Sequence, residues 1–276
     1  MTAWNIAAVQ MDCQLGKREE NLAAIRARLS VAANQEARLV IFPECILSGY
    51  GFGSRAEALP HAETLPGPST EALAADCRRL NVWTIVGLLE RDGERLFNAA
   101  ALVGPSGFIA GYRKVHLPCL GVDRFTTPGD RPFAVHDLGG LRIGINICYD
   151  GSFPESSRVL ALLGADLIAL PTNWPPNAWR NPKFVVPTRA IENHVYYAAV
   201  NRIGEESGFR FIGQTRIVDC SGDLLAATES DEATILCAEI DPERARCKRI
   251  ICIPKQYEVD RVADRRPEMY ERVCSS

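Results

Sequence analysis

Three reactive side chains occur in the same local context, each directly after a short apolar run. Glu44 follows Leu-Val-Ile-Phe-Pro, Lys114 follows Phe-Ile-Ala-Gly-Tyr-Arg, and Cys148 follows Ile-Gly-Ile-Asn-Ile. Short apolar runs bounded by turn residues predict buried strands. Ligands bind at the ends of strands in α/β sheets, and parallel neighbours bring those ends together. The pattern therefore predicts that a carboxylate, an ammonium and a thiol meet in one site.

This combination could carry out acyl transfer. Only the thiolate of a cysteine attacks a carbonyl, and a free thiol titrates near pH ~8.5, so a base must remove its proton. Glu44 can accept that proton, and Lys114 can stabilise both the thiolate and an oxyanion. The backbone N–H of Tyr149, the residue after Cys148, could supply a second oxyanion donor.

Each of these residues also has a structural explanation. Cys148 could be a buried structural cysteine, Glu44 a partly buried acid paired with an arginine, and Lys114 a solvated surface charge. His116 could form a Cys–His dyad with Cys148. It lies two residues after Lys114 on what could still be a strand, and we expect it to make an orienting hydrogen bond instead.

Composition narrows the class of protein. The 276 residues include 47% hydrophobic and 24% charged residues, with a net charge of −3, which predicts a globular chain with a sizeable core. There is no basic surplus and no apolar stretch near the ~18 residues of a membrane span, so we expect neither nucleic-acid nor membrane partners.

The ten cysteines and the N-terminus indicate where the protein works. The cysteines are scattered and contain no C-x-x-C pair, so the sequence predicts free thiols, no zinc site and no metal. The first residues lack the pattern of a signal peptide. We therefore expect a reducing cytoplasm, and no motif for a cofactor is found.

The order of elements predicts a single α/β domain with mixed sheets, helices on the outer faces and a charged C-terminal arm. The domain is expected over residues 1–245 and the arm over residues 246–276. Helices are predicted at 17–35, from an N-cap at Ser69 to Leu80, at 155–163 and at 182–194. Strands are predicted at 4–12, 39–43, 82–90, 96–103, 108–113, 132–138, 141–147, 165–171, 195–201, 211–219 and 234–240.

Seven short motifs, taken together, carry a resemblance to a known family. They occur in the family's order, span roughly residues 4 to 245, and resemble the signatures of the nitrilase superfamily, the carbon–nitrogen hydrolases. The matching stretches are 42–44, 112–117, 128–130, 147–155, 171–174, 189–193 and 200–204.

The resemblance implies both a fold and roles for individual residues. Glu44 resembles the family's general base, Lys114 its oxyanion-stabilising lysine and Cys148 its nucleophile. The implied fold is a four-layer α-β-β-α sandwich with two mixed β-sheets. The family also implies a homodimer or higher homo-oligomer, formed through the helices after Cys148 and around residues 189–194, with the arm packing on a neighbouring subunit.

One position departs from the family's pattern. Members commonly carry a second glutamate six residues before the proline of the Pro-Gly-Asp motif, which is Pro128 here. That position holds Val122, and the nearest acid is Asp123, which is one methylene shorter and one position displaced. Asp123 could serve as the second active-site acid, or its role could have changed.

The resemblance predicts hydrolysis of a small carboxamide through a cysteine thioester, releasing ammonia and a carboxylic acid. Cys-Tyr-Asp at 148–150 resembles amidases more than the Cys-Trp-Glu of nitrilases. Nitrile hydrolysis and N-carbamoyl amide hydrolysis stay open as alternatives, as does a non-catalytic binding or scaffold protein.

The sequence also suggests substrate contacts. Tyr50, Asn173 and Trp174 are expected to bind substrate, although Tyr50, Trp174 and Trp179 could equally pack under the loops. Ser152 stands where amidases of dicarboxylic monoamides often carry an arginine. A substrate carboxylate would then be recognised by another residue, such as Arg124 or Arg180, or would be absent.

Overall fold

The computed structural model describes residues 3–274, whose strands and helices are as follows. The strands are β1 (Trp4–Gln10), β2 (Leu39–Ile41), β3 (Trp83–Asp92), β4 (Arg95–Gly104), β5 (Gly107–Arg113), β6 (Val135–Asp137), β7 (Arg142–Ile145), β8 (Leu167–Thr172), β9 (Tyr196–Asn201), β10 (Glu205–Glu206), β11 (Phe209–Arg210), β12 (Arg216–Val218), β13 (Leu224–Ala227), β14 (Thr234–Ile240), β15 (Arg249–Ile253) and β16 (Tyr257–Asp260). The α-helices are α1 (Arg18–Asn34), α2 (Arg55–Ala58), α3 (Pro68–Leu80), α4 (Pro154–Leu162), α5 (Val186–Asn193), α6 (Pro242–Arg246) and α7 (Glu271–Cys274). Short 3₁₀ turns cover Leu59–His61, Gly121–Phe125, Cys148–Ser152, Pro176–Ala178 and Pro267–Met269, and a π-helical turn, Asn181–Val185, leads into α5.

Two six-stranded sheets form the centre of the molecule. The first sheet has the order β14-β1-β2-β3-β4-β5 and the second has the order β13-β12-β9-β8-β7-β6. In each sheet the three central strands run parallel, β1 to β3 in the first and β7 to β9 in the second. The flanking strands pair antiparallel. Both sheets are therefore mixed, as expected.

The two sheets pack face to face, and helices cover both outer faces. Successive side chains of a strand point to opposite faces of its sheet. The buried side chains of the parallel strands therefore lie in three layers, one between the sheets and one outside each sheet. The layer between the sheets contains Ile6, Ala8, Leu39, Ile41, Ile143, Ile145, Leu167 and Ala169. Outside the first sheet, Ala7, Val9 and Val40 pack against Ile25 and Leu29 of α1 and Leu73 and Cys77 of α3. Outside the second sheet, Ile168 and Leu170 pack against Leu160 of α4 and Val186 and Ala190 of α5.

This arrangement is the four-layer α-β-β-α sandwich that the sequence predicted. Because both faces of each sheet are covered, its central strands are continuously apolar rather than alternating. None of the helices formed by residues 3–274 has the length and apolar character that crossing a bilayer requires.

Some predicted boundaries are wrong. Helix α3 is capped at Gly67, and Thr70 Oγ1 both accepts from the Gly67 N–H at 2.9 Å and donates to its carbonyl at 2.8 Å. Ser69 lies inside the first turn instead, where its N–H and hydroxyl donate to the Glu63 carboxylate at 3.0 and 2.7 Å. The local Ser-Thr-Glu sequence does not reveal that the Glu63 carboxylate, six residues earlier, accepts hydrogen bonds from Ser69.

Several other elements also differ from the prediction. The strand predicted at 211–219 shortens to Arg216–Val218, and β13 was not predicted because its residues are mostly exposed at the sheet edge. Within the predicted arm, β15 and β16 form an antiparallel hairpin. Its long apolar side chains include Ile251, Ile253 and Tyr257, each at least half exposed.

Candidate active site

The three predicted residues come from both sheets rather than from neighbouring strands of one sheet. Glu44 follows β2, and Lys114 follows β5 at the opposite end of the β2-β3-β4-β5 order. β5 runs in the same direction as β2, since β3 is parallel to β2 and two antiparallel pairings follow. Cys148 begins the turn after β7 in the facing sheet. The site therefore forms between the ends of two packed sheets, which corrects the expectation of parallel neighbours.

A glycine on β3 allows the segment that carries Glu44 to cross the sheet closely. A Cβ on Gly87 would lie 2.4 Å from the carbonyl oxygen of Pro43 and 2.7 Å from the Cα of Glu44. Both are far shorter than a van der Waals contact, so a larger residue at 87 would push the Glu44 backbone off the strand. The absence of a side chain at Gly87 therefore allows the segment that carries the Glu44 carboxylate to lie close against β3.

Lys114 lies between two carboxylates. Its Nζ is 2.8 Å from Oε1 of Glu44 and 2.5 Å from Oδ2 of Asp123, and all three side chains are buried. Burial alone would lower the pKa of Lys114, but the charges of Glu44 and Asp123 outweigh burial and raise it well above 10.5. The lysine is therefore a permanent cation, suited to stabilise developing negative charge.

Glu44 keeps one carboxylate oxygen free. Its Oε1 accepts from Lys114 and, at 2.7 Å, from Nδ2 of Asn98. Its Oε2 is buried and has no hydrogen-bond partner among residues 3–274. Burial raises the pKa of Glu44 above 4.5, Lys114 lowers it and Asp123 raises it. A buried carboxylate with a raised pKa and an unused oxygen is suited to accept and return a proton.

Cys148 occupies a strained turn. Its φ is +46°, in the left-handed region that side chains with a Cβ seldom adopt. Such a conformation persists only where surrounding contacts enforce it, and it is often found at functional sites. At Cys148 the strain accompanies an abrupt change of direction from β7 into a 3₁₀ turn.

Asp150 holds that turn through four hydrogen bonds. Its Oδ2 accepts from the Ile147 N–H at 3.0 Å and from the Tyr112 hydroxyl at 2.7 Å. Its Oδ1 accepts from the His116 N–H at 3.0 Å and lies 2.8 Å from His116 Nδ1. The His116 ring also stacks on Phe153 at 3.8 Å between ring centroids. His116 therefore orients the nucleophile turn, the role expected of it, and is bonded to Asp150.

Opposing effects act on the pKa of the Cys148 thiol. Burial and the Glu44 charge raise its pKa well above 9.0, and the Lys114 ammonium and the Asn173 N–H oppose them. These interactions place the thiol within electrostatic reach of Glu44 and Lys114. A thiol with a raised pKa, together with a carboxylate that has a free oxygen, fits proton transfer to Glu44 during attack rather than a preformed thiolate.

Asp123 lies in the site despite its shorter side chain. Its Oδ2 accepts from the Tyr50 hydroxyl at 2.9 Å as well as from Lys114, and its Oδ1 accepts from Nδ2 of Asn98 at 2.8 Å. The turn that carries it begins at Gly121, where a Cβ would lie 2.1 Å from the Tyr50 ring. This close approach brings the aspartate within reach of the lysine.

The three predicted substrate residues differ in their surroundings. Tyr50 is 1% exposed and donates to Asp123. Asn173 follows β8, its N–H bonds to Cys148, and its buried side-chain Oδ1 and Nδ2 have no partner among residues 3–274. Trp174 packs with the cluster outside the second sheet and borders a narrow cavity that Cys148 also lines.

The arginines and the remaining tryptophan considered from sequence lie nearer the surface. Arg124 is exposed and donates to the Gly121 carbonyl at 3.0 Å. Arg180 is exposed and stacks over Trp179, which is itself 38% exposed. Tyr149 is 39% exposed, and its ring packs edge-on against Phe153.

The sequence analysis did not identify Asn98 and Glu206, which form hydrogen bonds with residues of the site. Asn98 bridges Glu44 and Asp123, and its one sequence signal is a polar residue inside the apolar run of β4. Glu206 accepts from the backbone N–H groups of Tyr50 and Gly51 at 2.7 and 2.5 Å and pairs with buried Arg202 at 2.9 Å. Nothing in the sequence connects Glu206 with a loop 155 residues earlier.

In the part of the chain that the structure describes, no three His, Cys, Asp or Glu residues are grouped to hold an ion. The cation of the site is the Lys114 ammonium, placed between the carboxylates of Glu44 and Asp123.

Comparison with known proteins gives the class of protein that this fold and site define. A family model described as carbon-nitrogen hydrolase matches residues 5–249. A protein named nitrilase from Pyrococcus abyssi (strain GE5 / Orsay) is 39% identical over 272 residues, covering 97% of this chain and 99% of that protein. A protein named omega-amidase from Homo sapiens is 30% identical over 257 residues, covering 87% and 90% of the two chains.

A solved structure agrees with the sequence comparisons. The crystal structure of an amidase from Nesterenkonia sp. matches with a TM-score of 0.81 at 25% identity, covering 98% of this chain and 96% of that one. The chain belongs to the carbon–nitrogen hydrolase family. This confirms the resemblance to the nitrilase superfamily that the seven motifs indicated.

Proposed function

We propose that this carbon–nitrogen hydrolase cleaves small carboxamides through a thioester on Cys148, releasing ammonia and a carboxylic acid. The observation that carries the proposal is the free, buried Oε2 of Glu44, on a carboxylate whose other oxygen is held by Lys114. A base, a cation and a nucleophile are thus present with one unoccupied proton acceptor. Relatives named omega-amidase and (R)-stereoselective amidase support an amide substrate.

Acylation begins with proton transfer from Cys148 to Glu44. The sulfur attacks the carbonyl carbon, and the resulting oxyanion is stabilised by the Lys114 ammonium and the Tyr149 N–H. Glu44 then gives its proton to the amide nitrogen as the C–N bond breaks, and ammonia leaves. The products of this half-reaction are ammonia and an acyl thioester on Cys148.

Deacylation uses the same base. Glu44 removes a proton from water, whose oxygen attacks the thioester carbon, and Lys114 again stabilises the oxyanion. The C–S bond then breaks, and the proton on Glu44 returns to the sulfur. The carboxylic acid leaves, and both residues regain their starting protonation states.

Asp123 acts in this scheme as the residue that positions Lys114. Its two oxygens accept from three donors, Lys114, Tyr50 and Asn98. A carboxylate saturated in this way has little capacity left for substrate, whereas Glu44 has a free oxygen. We therefore assign the second acid a supporting role and give proton transfer to Glu44.

The substrate is proposed to be a neutral amide. The Arg189 guanidinium, near the nucleophile turn, donates to the carbonyls of Gly151 and Ser152 at 3.0 and 3.1 Å and pairs with Glu192. With these donors engaged, it is poorly placed to bind a substrate carboxylate. The unpartnered amide of Asn173 offers a neutral donor and acceptor to the substrate.

A substrate panel tests the proposal. Ammonia release is measured for neutral aliphatic amides, for ω-amides of dicarboxylic acids and for N-carbamoyl amino acids, with carbon dioxide measured in parallel. We expect ammonia without carbon dioxide, and turnover of the neutral amides. The Cys148→Ala variant should fold and lack turnover, while Cys119→Ser, which changes an exposed cysteine, should behave as the unchanged chain. Equal turnover by Cys148→Ala would refute the assignment.

Nitrile hydrolysis is the second candidate, because the relative from Pyrococcus abyssi is named nitrilase. The same thiol could attack a nitrile carbon, and the acid and ammonia would again be the products. Matched nitrile and amide pairs with the same side chain separate the two activities. Turnover of the nitriles alone would favour this second candidate, and no turnover of either would favour the scaffold alternative.

We further propose a homodimer or higher homo-oligomer in the cytoplasm. The outer face of α4 exposes Val159 and Leu162, and Leu163 follows them with 52% of its surface accessible. The described cysteines are all free thiols, which fits a reducing compartment. Light scattering on the purified chain measures the oligomer, and a monomer at micromolar concentration would argue against it.

A further inference from the structure

Asn98 connects the two carboxylates of the site through a single amide nitrogen. It lies in the middle of β4 and is 1% exposed. Its Nδ2 donates to Oε1 of Glu44 at 2.7 Å and to Oδ1 of Asp123 at 2.8 Å. An amide NH₂ has two hydrogens, so each carboxylate accepts one and the donor capacity of the group is used completely.

A neighbouring thiol fixes the orientation of this amide. Cys45 Sγ lies 3.4 Å from Oδ1 of Asn98. Burial raises the pKa of the Cys45 thiol well above 9.0, so the thiol keeps its hydrogen and can donate it. Because both carboxylates only accept, the reversed amide would place an acceptor against two acceptors.

We propose that Asn98 is a positioning residue, which holds Glu44 and Asp123 on either side of Lys114 and directs Oε2 of Glu44 towards the thiol. The inference rests on the proposed function. Of the four carboxylate oxygens in this pair, three accept hydrogen bonds and Oε2 of Glu44 does not. The bridge thereby determines which oxygen is available for proton transfer.

The bridge also offsets an electrostatic cost. Two carboxylates against one ammonium leave one excess negative charge in a buried site, and like charges disfavour ionisation of each other. The hydrogen bond from Asn98 lowers the pKa of Glu44 against the opposing effect of burial. The titratable groups that face Glu44 are Lys114, Asp123, Cys45, Tyr50 and Cys148.

Removal of the amide should therefore move the pH dependence in a defined direction. Without its donor, the charged form of Glu44 is less favoured, its pKa rises, and the base is available only at higher pH. We expect Asn98→Ala and the similarly sized but uncharged Asn98→Leu to shift the acidic limb of the kcat/KM profile to higher pH. We also expect kcat to fall about ten- to hundredfold with KM little changed, the loss typical of a hydrogen bond to a charged group.

A matched control separates this role from a purely structural one. Asn21 is another buried asparagine, which donates to the carbonyls of Gln14 and Leu47 and touches no carboxylate. Asn21→Ala should lower thermal stability and leave the acidic limb in place. If the folded Asn98 variants show a profile that superimposes on that of the unchanged chain, the inference fails.

Alkylation of Cys148 by iodoacetamide supplies a readout that does not need amide turnover. The sulfur forms a bond to the methylene carbon, iodide leaves, and the thiol proton goes to Glu44. Peptide-resolved mass spectrometry follows Cys148 separately from the exposed cysteines. A shift of the alkylation profile to higher pH in the Asn98 variants supports the inference even if no amide is hydrolysed. Amide hydrolysis with unshifted profiles would instead refute the inference alone.

Folding failures are also informative. If Asn98→Ala does not fold, Asn98→Leu decides, because leucine keeps the approximate size of the side chain without a donor or a charge. If neither folds while Asn21→Ala does, Asn98 supports the fold rather than the base, and the inference is refuted.

Discussion

The hydroxyl of Tyr50 lies 2.9 Å from Oδ2 of Asp123, the same oxygen that accepts from Lys114 at 2.5 Å. A neutral donor and a cation thus share one carboxylate oxygen in a buried site. Tyr50 was expected to bind substrate, yet its hydroxyl is engaged with the second acid. This contact explains how an aspartate, one methylene shorter than the family's glutamate, is fixed where the lysine needs it.

Removal of that hydroxyl should weaken catalysis without unfolding the chain. In Tyr50→Phe the ring still packs against Phe211, but Asp123 loses a donor and Lys114 is less well held. We expect kcat/KM to fall roughly tenfold, in line with a hydrogen bond to a charged acceptor. Tyr196→Phe is the matched control, since its hydroxyl accepts from the Asp241 N–H away from the site. Equal losses in both variants would contradict the assignment.

The charge of Asp123 should matter more than that of any exposed aspartate. Asp123→Asn keeps the shape but removes one of the two counter-charges of Lys114. The pKa of Lys114 should then fall, because Asp123 contributes to raising it. We expect kcat to fall about hundredfold while KM changes little. Asp231→Asn, at an exposed pair with Arg210, should leave kcat unchanged. A rise in KM with unchanged kcat would point to substrate binding instead.

The pH dependence of activity should reflect the buried state of Glu44. Burial raises its pKa above 4.5, and only the unprotonated carboxylate accepts a proton from Cys148. Activity should therefore rise with pH through a limb above the ordinary glutamate value, and be lost as pH falls through it. Kinetics in a constant-ionic-strength buffer series measure this limb. Glu44→Gln should abolish turnover at every pH, and retained turnover would exclude Glu44 as the base.

The ion pair behind the Tyr50 loop should contribute to stability. Arg202 is fully buried, and Glu206 is its buried partner at 2.9 Å. Glu206→Gln leaves part of the arginine charge uncompensated, and breaking a buried pair costs about 3 kcal/mol. Urea unfolding measures this loss, which should be accompanied by lower activity because Glu206 also holds the Tyr50 backbone.

Asp231→Asn is again the control, because it breaks an exposed ion pair, with Arg210, instead of a buried one. Surface ion pairs are worth about 0–1 kcal/mol. A loss from Glu206→Gln no larger than the loss from Asp231→Asn would show that the buried pair does not stabilise this loop.

The strands and helices were predictable where burial follows a simple period. The apolar runs preceding Glu44, Lys114 and Cys148 form β2, β5 and β7, followed by the turns that carry those residues. The start of α3 and the edge strand β13 were not predicted correctly, because a side-chain contact and solvent exposure override the local pattern there. Glu63 occupies Ser69, and β13 pairs with β12 while most of its residues are exposed.

The amino-acid sequence by itself determined the mixed α/β architecture and the apolar strands that precede Glu44, Lys114 and Cys148, because these depend on local residue types and periodicity, and its seven motifs indicated the family. The tertiary structure decided that the three residues meet between two sheets, that Asp123 binds Lys114, and that Asn98 and Tyr50 complete the set of donors. These hydrogen bonds join residues 9 to 73 positions apart. Their formation depends on how the strands are ordered and packed, which no local pattern specifies.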